Sequence, residues 1–299
     1  MSTVAQVEEL GFPVMLLASD GSAAMPAAIT LARLIATRAP ADVHVVTAVE
    51  PLPSVTPEGN LPYTPQVDEM RRDGLEARVL EQLTEFAPDS GGWGAQLVDG
   101  HPDEAIVRAA HAAGAALIVL GLGQHGVVER WFGGETALRV LRISDVPVLA
   151  VAPTARALPR RVLVATDFSE PSELALRASL ALVAPDATVT LAHVVPRDIS
   201  MGVWPVWDDA YERAVAASFA ELRARLNLPP SITVDDLILA GDPARAILEQ
   251  ADRMHADLIV TGTHGHNAIA HALLGRTSTK ILRGARCSVF VHPPAAHAR

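Results

Sequence analysis

Val14-Met15-Leu16-Leu17-Ala18-Ser19-Asp20 and Val162-Leu163-Val164-Ala165-Thr166-Asp167 read as one segment written twice. In each, an apolar run ends in a small residue, a hydroxyl residue and an aspartate. Short apolar runs closed by turn-forming residues read as strands buried on both faces. Whether the chain is one large domain or two copies of a smaller one depends on the residues downstream of each segment.

The downstream residues also repeat, in the same order. Val43-His44-Val45-Val46-Thr47-Ala48-Val49 answers Val189-Thr190-Leu191-Ala192-His193-Val194-Val195. Leu97-Val98-Asp99-Gly100-His101-Pro102 answers Leu239-Ala240-Gly241-Asp242-Pro243, and Leu117-Ile118-Val119-Leu120-Gly121 answers Leu258-Ile259-Val260-Thr261-Gly262. From there an offset of 141 holds, so residues 134–142 lie on 275–283. The halves close alike, with Pro147-Val148-Leu149-Ala150-Val151 and Ser288-Val289-Phe290-Val291. Five correspondences in order predict a duplicated domain, with the first copy at 1–153, the second at 160–299 and a short proline-bounded linker at 153–160.

Each half alternates strand and helix from a first strand to a fifth. Glu170-Pro171 ahead of Leu174, and Pro243 after Asp242, mark helix starts, since proline suits the first helical turn. Strict alternation predicts two doubly wound, five-stranded parallel α/β sheets with right-handed crossovers. The short linker favours two domains packed together as an intramolecular pseudo-dimer. The 299 residues suit two domains, and 49% apolar content with only 4% aromatics suits parallel sheets built from Leu, Val, Ile and Ala.

Charge and cysteine content narrow the function classes. A net charge of −10 disfavours nonspecific nucleic-acid or anionic membrane binding. Cys287 is the only cysteine, so no internal disulfide is available, which suits a reducing cytoplasm, and the residue reads as part of a core. The N-terminus lacks a basic region followed by an apolar one, and the longest apolar runs are too short to span a bilayer. A cytoplasmic location is the expectation.

In an open parallel sheet, ligands bind at the carboxyl ends of strands, where strand order reverses. In the second half that places Asp167, His193-Val194 and the loop from Gly262 at the candidate site. The loop reads Gly262-Thr263-His264-Gly265, then nine residues, then Gly275-Arg276-Thr277-Ser278 opening a helix. Glycines admit a phosphate close to backbone N–H groups, and a helix start adds positive partial charge. Thr277 and Ser278 offer hydroxyls there, and Arg276 offers a charge-assisted contact. The plain alternative is a glycine-punctuated turn and an ordinary helix start. Asp167 likewise has two readings: acceptor for a ribose hydroxyl or adenine amine, or partner of Ser169 at the start of the next helix.

These residues carry a resemblance. Thr166-Asp167-Phe168-Ser169, His193-Val194 and the Gly262, Gly265, Gly275 frame together resemble the universal stress protein domain, and the resemblance covers each half nearly end to end. It implies a Rossmann-like, adenine nucleotide α-hydrolase-like fold that binds ATP, with or without magnesium, or a related adenine nucleotide. Carried over by position, it implies Asp167, Val194, Gly262, Gly265 and Gly275 as contacts, and the two closing strands as the pseudo-dimer interface. Arg276 departs from the family, which has a small hydroxyl residue there, so Thr277 or Ser278 must substitute. In the first half Gly121 and Gly134 survive, but Gln124 replaces the middle glycine and Glu135 opens the helix, where it would repel a phosphate. The first-half site is expected to be degenerate or altered to another ligand.

Other constellations are weaker. His264, His266 and His271 cluster in the second-half loop, but without Cys or close acidic ligands they are not assigned a metal. Trp204 and Trp207 form an apolar patch after the second strand of that half, read as cover for the domain or its partner half. No hydrolase elbow or Walker loop stands in a sensible context, so no residue is assigned a catalytic role. The expected function is a stress-response nucleotide sensor. Its rivals are a nucleotide-free interaction scaffold and a slow ATP-hydrolysing switch. Protein partners and a further homodimer are left open.

Overall fold

The structure is a computed structural model that describes residues 11–51, 65–123, 133–195, 209–226, 228–263 and 275–294. The chain divides into two compact units whose bodies are Phe12–Val146 and Ala157–Arg299. In the first half, β1 (Val14–Ala18), α1 (Met25–Arg38), β2 (Asp42–Val49), α2 (Pro65–Phe86) and β3 (Ala95–Asp99) are followed by α3 (Pro102–Ala113), β4 (Leu117–Gly121), α4 (Gly133–Ile143) and β5 (Val148–Val151). In the second, β6 (Arg161–Ala165), α5 (Glu170–Ser179), β7 (Thr188–Val195), α6 (Asp209–Arg225) and β8 (Thr233–Ala240) are followed by α7 (Pro243–Arg253), β9 (Leu258–Gly262), α8 (Arg276–Gly284) and β10 (Ser288–His292).

The strand order is β3-β2-β1-β4-β5 in the first half and β8-β7-β6-β9-β10 in the second. β1 pairs in parallel with β2 and β4, and β6 with β7 and β9. Each half is therefore the expected doubly wound five-stranded sheet, with order reversing between its first and fourth strands. The apolar runs explain why these strands are central. Met15, Leu16 and Leu17 of β1, Leu117, Ile118 and Val119 of β4, and their counterparts Val162, Leu163, Val164 and Leu258, Ile259, Val260 are all 0% exposed. Three consecutive residues can be buried only if both sheet faces are covered by helices. At roughly 1.5–3 kcal/mol per buried side chain, these twelve residues dominate the two cores.

Helix starts follow the chemistry expected of them. Asp242 caps α7 by accepting the Arg245 backbone N–H at 3.0 Å, with Pro243 in the first turn. Prolines also open α1, α3 and α5, and α2 begins at Pro65. Trp204 and Trp207, expected to serve as a cover, lie outside the described residues.

No helix among the described residues is long and apolar enough to cross a membrane. Cys287, read as part of a core, is half-buried, and burial pushes its thiol up to about 12.

Candidate functional site

The two halves build the turn after their first strand from one set of backbone contacts. Ser19 N–H donates to Val46 O at 2.9 Å, and Thr166 N–H to Ala192 O at 2.9 Å. Gly21 N–H donates to Ser19 Oγ at 3.3 Å, and Phe168 N–H to Thr166 Oγ1 at 3.0 Å. Ser22 N–H donates to Asp20 Oδ1 at 2.9 Å, and Ser169 N–H to Asp167 Oδ1 at 3.1 Å. Both aspartates thus turn the chain toward the next helix, the Asx geometry that short carboxylates favour. Asp167 Oδ1 also accepts the Ser169 hydroxyl. The aspartate is half-buried, the exposure a ligand contact would need.

The same turn forces the left-handed region. Gly21 has φ 67° and Phe168 has φ 63°. Glycine adopts this freely, whereas a side chain there costs roughly 1–2 kcal/mol. Phe168 offsets that cost by packing. Its ring lies 4.7 Å from the His193 ring and 4.9 Å, edge-on, from Phe219 of α6. His193 in turn bonds Thr166 O through Nδ1 at 3.0 Å, tying the end of β7 to the turn after β6. His193 is therefore a positioning residue for the segment that contains Asp167.

Val194 sits next to it, buried at 9% exposure. β6 and β7 stay in register only to Ala165 and Ala192, while β7 and β8 continue to Val195 and Ala240. The last three residues of β7 therefore have a ladder partner on the β8 side alone. Backbone at Val194 faces the crevice side without a paired strand there.

The two described glycines of the loop are explained by close approach. A Cβ at Gly262 would lie 3.1 Å from Pro171 C and O, in the first turn of α5. Its twin Gly121 would bring a Cβ within 3.3 Å of Ala24 and Met25 atoms at the start of α1. Gly275 is tighter still: its N–H donates to Thr263 O at 2.8 Å, and a Cβ there would lie 2.2 Å from that oxygen. Backbone packing thus demands glycine at Gly275 and favours it at Gly262. Gly265, with His264, His266 and His271, lies outside the described residues. Among the described residues no group of three or more His, Cys, Asp or Glu is placed to hold a metal.

The first turn of α8 separates the remaining sequence candidates. Ser278 is 3% exposed, and its hydroxyl donates to Gly262 O at 2.7 Å. It ties α8 to the end of β9 and is committed inside the protein. Thr277 is half-buried and Arg276 exposed. By the offset of 141, Thr277 corresponds to Thr136, which lines a cavity in the first half, whereas Ser278 corresponds to Ala137, which is 0% exposed. Of the two hydroxyls, Thr277 is the one in the register of the cavity-lining Thr136.

One residue escaped the sequence reading. Thr263 is 4% exposed, and its Oγ1 is buried with no hydrogen-bond partner among the described residues. Its backbone is fully used, donating to His292 O at 3.0 Å and accepting from Gly275. Its twin Leu122 makes the matching bond to Val151 O at 2.7 Å and is equally buried at 7%. Packing at this position therefore needs no hydroxyl, and an orphaned buried hydroxyl calls for a partner. The signal in the sequence was a threonine where the other half has leucine. Burial holds the His292 imidazole below its ordinary range, so it is neutral at neutral pH. Lys280 of α8 donates to Asp242 Oδ2, at the start of α7, at 3.0 Å. The Arg245 backbone N–H, then Lys280, hold the Asp242 carboxyl below the usual carboxylate range.

The first half carries a cavity of about 350 Å³ at the same strand ends. Its floor includes Met25, Val46, Ala48 and Leu120, and Asp20, Arg71 and Thr136 are among its polar lining. Arg71 bonds Asp68 at 3.0 Å and Glu50 O at 2.8 Å through one terminal nitrogen, while its buried Nε has no partner among the described residues. Glu135 stands exposed in the first turn of α4, 3.4 Å from Arg139.

Known proteins share both the sequence pattern and the fold. The chain matches the Universal stress protein family twice, at residues 11–152 and 159–293. A universal stress protein of Mycolicibacterium smegmatis is 26% identical over 297 residues, spanning 94% of this chain and 97% of its own. The stress response protein NhaX of Bacillus subtilis is 33% identical over 150 residues, 40% of this chain and 90% of its own. A universal stress protein structure from Archaeoglobus fulgidus superposes with a TM-score of 0.64 at 21% identity, covering 94% of this chain and 96% of its own. Two matches to one family model, on halves that share strand order and turn geometry, make this chain a tandem member of the universal stress protein family.

Proposed function

We propose that the protein is a stress-response sensor that holds ATP, or a related adenine nucleotide, in its second half. The observation that carries this reading is the buried Thr263 hydroxyl, unpartnered among the described residues, beside the Gly275 start of α8. A hydroxyl at a helix N-terminus suits a phosphate oxygen, which accepts from it and from the unpaired N–H groups of the first turn. Thr277 and Arg276 extend the same donor set, and Asp167 with the β7 backbone at Val194 forms the nucleoside end. Ser278 fixes the geometry from inside. ATP would bring the negative charge that this donor set complements, and bound nucleotide would change which surface the loop from Gly262 presents.

A nucleotide-free scaffold is the second reading, and one observation favours it: packing alone accounts for Gly262 and Gly275. Freshly purified protein, denatured and passed over an ion-exchange column, tests the choice. Released adenine nucleotide at close to one equivalent is the expected result, reduced at least tenfold in Thr263→Val, because a hydrogen bond to a charged group contributes roughly 1.5–3 kcal/mol. No nucleotide in the wild-type extract, together with no binding at millimolar ATP, would move the assignment to the scaffold.

A further inference from the structure

β8 ends the strand order of the second half, and two bonds that bracket it fix the direction of its backbone groups. Thr233 N–H donates to Ala187 O at 3.1 Å, and Gly241 N–H to Val195 O at 3.0 Å. Between them the parallel register with β7 runs unbroken from Thr188 opposite Thr233 to Val195 opposite Ala240. Backbone direction alternates along a strand, so Asp235, Leu237 and Leu239 also bond toward β7. Val234, Asp236, Ile238 and Ala240 then direct their N–H and C=O groups outward, where none meets a backbone partner among the described residues. Asp236 shows the open edge directly. Its side chain, paired with Arg223 at 2.9 Å, is only 26% exposed, yet the residue as a whole is exposed, so its backbone faces solvent.

The matching edge of the first half is blunted. β3 has five residues against eight in β8. Gly100 N–H donates to Val49 O, which turns Asp99 outward, and Asp99 O accepts from Arg108 Nη2 at 2.8 Å. Arg72 pairs with the Asp99 side chain as well. β8 has no proline and no lysine, the residues that keep edge strands apart, and its charges, Asp235 and Asp236, stand before a half-buried apolar stretch at 237–240.

An open apolar edge is a template for another strand, and the residues of β8 select which one. Two copies of β8 can lie antiparallel about a two-fold axis at Ile238. Ile238 then faces Ile238, Leu237 faces Leu239, Asp236 faces Ala240 and Asp235 faces Gly241. Opposed residues share a sheet face, so apolar meets apolar and no carboxylate meets another. Outward positions meet outward positions, so Asp236, Ile238 and Ala240 exchange N–H and C=O bonds in pairs. An axis at Asp236 would set that carboxylate against its own copy, and an axis at Leu237 would set it against Ile238. We propose that β8 is a dimerisation edge, to which a second copy of this chain adds its own β8 antiparallel and centred on Ile238. The interface is independent of nucleotide binding, and either can fail without the other.

Sedimentation velocity on the full chain over a concentration series tests it, with a monomer–dimer equilibrium expected for the wild type. Ile238→Lys and Ile238→Glu each set like charges opposite one another at the axis, and each alone should weaken association roughly tenfold or more. Mixing the two variants sets lysine opposite glutamate and should restore a dimer, a rescue that requires position 238 to face itself. Ile238→Pro removes an outward N–H that the β7 ladder does not use, so it should weaken association while the fold is kept. Val234→Pro removes an outward N–H beyond the paired stretch and should leave association unchanged. Circular dichroism and thermal unfolding verify that each variant is folded. A wild-type chain that stays monomeric, a dimer left intact by Ile238→Lys and Ile238→Pro, or a lysine–glutamate mixture that does not associate would each overturn the proposal. ATP titrated into Ile238→Lys should bind as it does to the wild type, which separates a failure of this interface from a failure of the sensor reading.

Discussion

The turn after the first strand is built twice with the same hydrogen bonds, once around Gly21 and once around Phe168. Both residues sit in the left-handed region, at φ 67° and 63°. One half satisfies the turn with the residue that adopts it freely. The other accepts strain and gains an aromatic cluster with His193 and Phe219. The same contrast recurs across the crevice. Where the second half places Thr263, Arg276 and Ser278, the first places Leu122, Glu135 and Ala137. A duplicated backbone thus keeps its geometry while the side chains along the crevice diverge, because strand ends and helix starts are fixed by packing and the side chains around them are not.

The contrast can be broken most severely at Gly275. Alanine there places a Cβ 2.2 Å from Thr263 O, so the second half should lose about 3 kcal/mol or more, read by chemical denaturation. Gly262→Ala, at 3.1 Å from Pro171, should cost less, and Gly121→Ala, at 3.3 Å from Ala24, the least of the three. An inverted order would mean that the loop is not held as described.

Phe168 gives a sharper test. Phe168→Ala removes the ring and keeps the strain, and should destabilise by about 3 kcal/mol. Phe168→Gly removes the ring and relieves the strain, so it should be the milder change by roughly 1 kcal/mol. Equal losses would show that the left-handed turn carries no cost.

The smallest effect concerns pH. His292, whose carbonyl receives the Thr263 N–H, is held neutral by burial, and its twin is Val151. The unfolded chain binds the proton more readily than the folded one, so this contribution is present above the ordinary histidine value of 6.5 and is lost as pH falls through it. Amide exchange near β10 should rise below that pH, while exchange near β5 should not. His292→Phe should abolish the difference.

The fold was legible because duplication turns a weak local pattern into a strong one. Runs such as residues 117–121 and 258–262 are ambiguous singly, but their order in two copies admits only one topology. Pro243 announced its helix start because proline's fit to a first helical turn is a local property of the chain. The site was less legible, since its decisive features are relations between distant residues. Gly275 suggested a phosphate loop, yet the contact requiring it is with Thr263 O, twelve residues upstream. Thr277 and Ser278 are neighbours in sequence, and only the helix phase shows that Ser278 is committed to Gly262 O. The first-half cavity left no motif, because it depends on small residues such as Ala18 and Ala48 meeting at strand ends.

If the second half alone holds the nucleotide, it does so through donors that the first half lacks. Calorimetric titration of ATP–magnesium into the wild-type chain and into Arg276→Glu tests this directly. One site in the wild type, weakened at least tenfold in the variant, is the predicted result. A titration that Arg276→Glu leaves unchanged, or one abolished instead by Asp20→Ala, would contradict it.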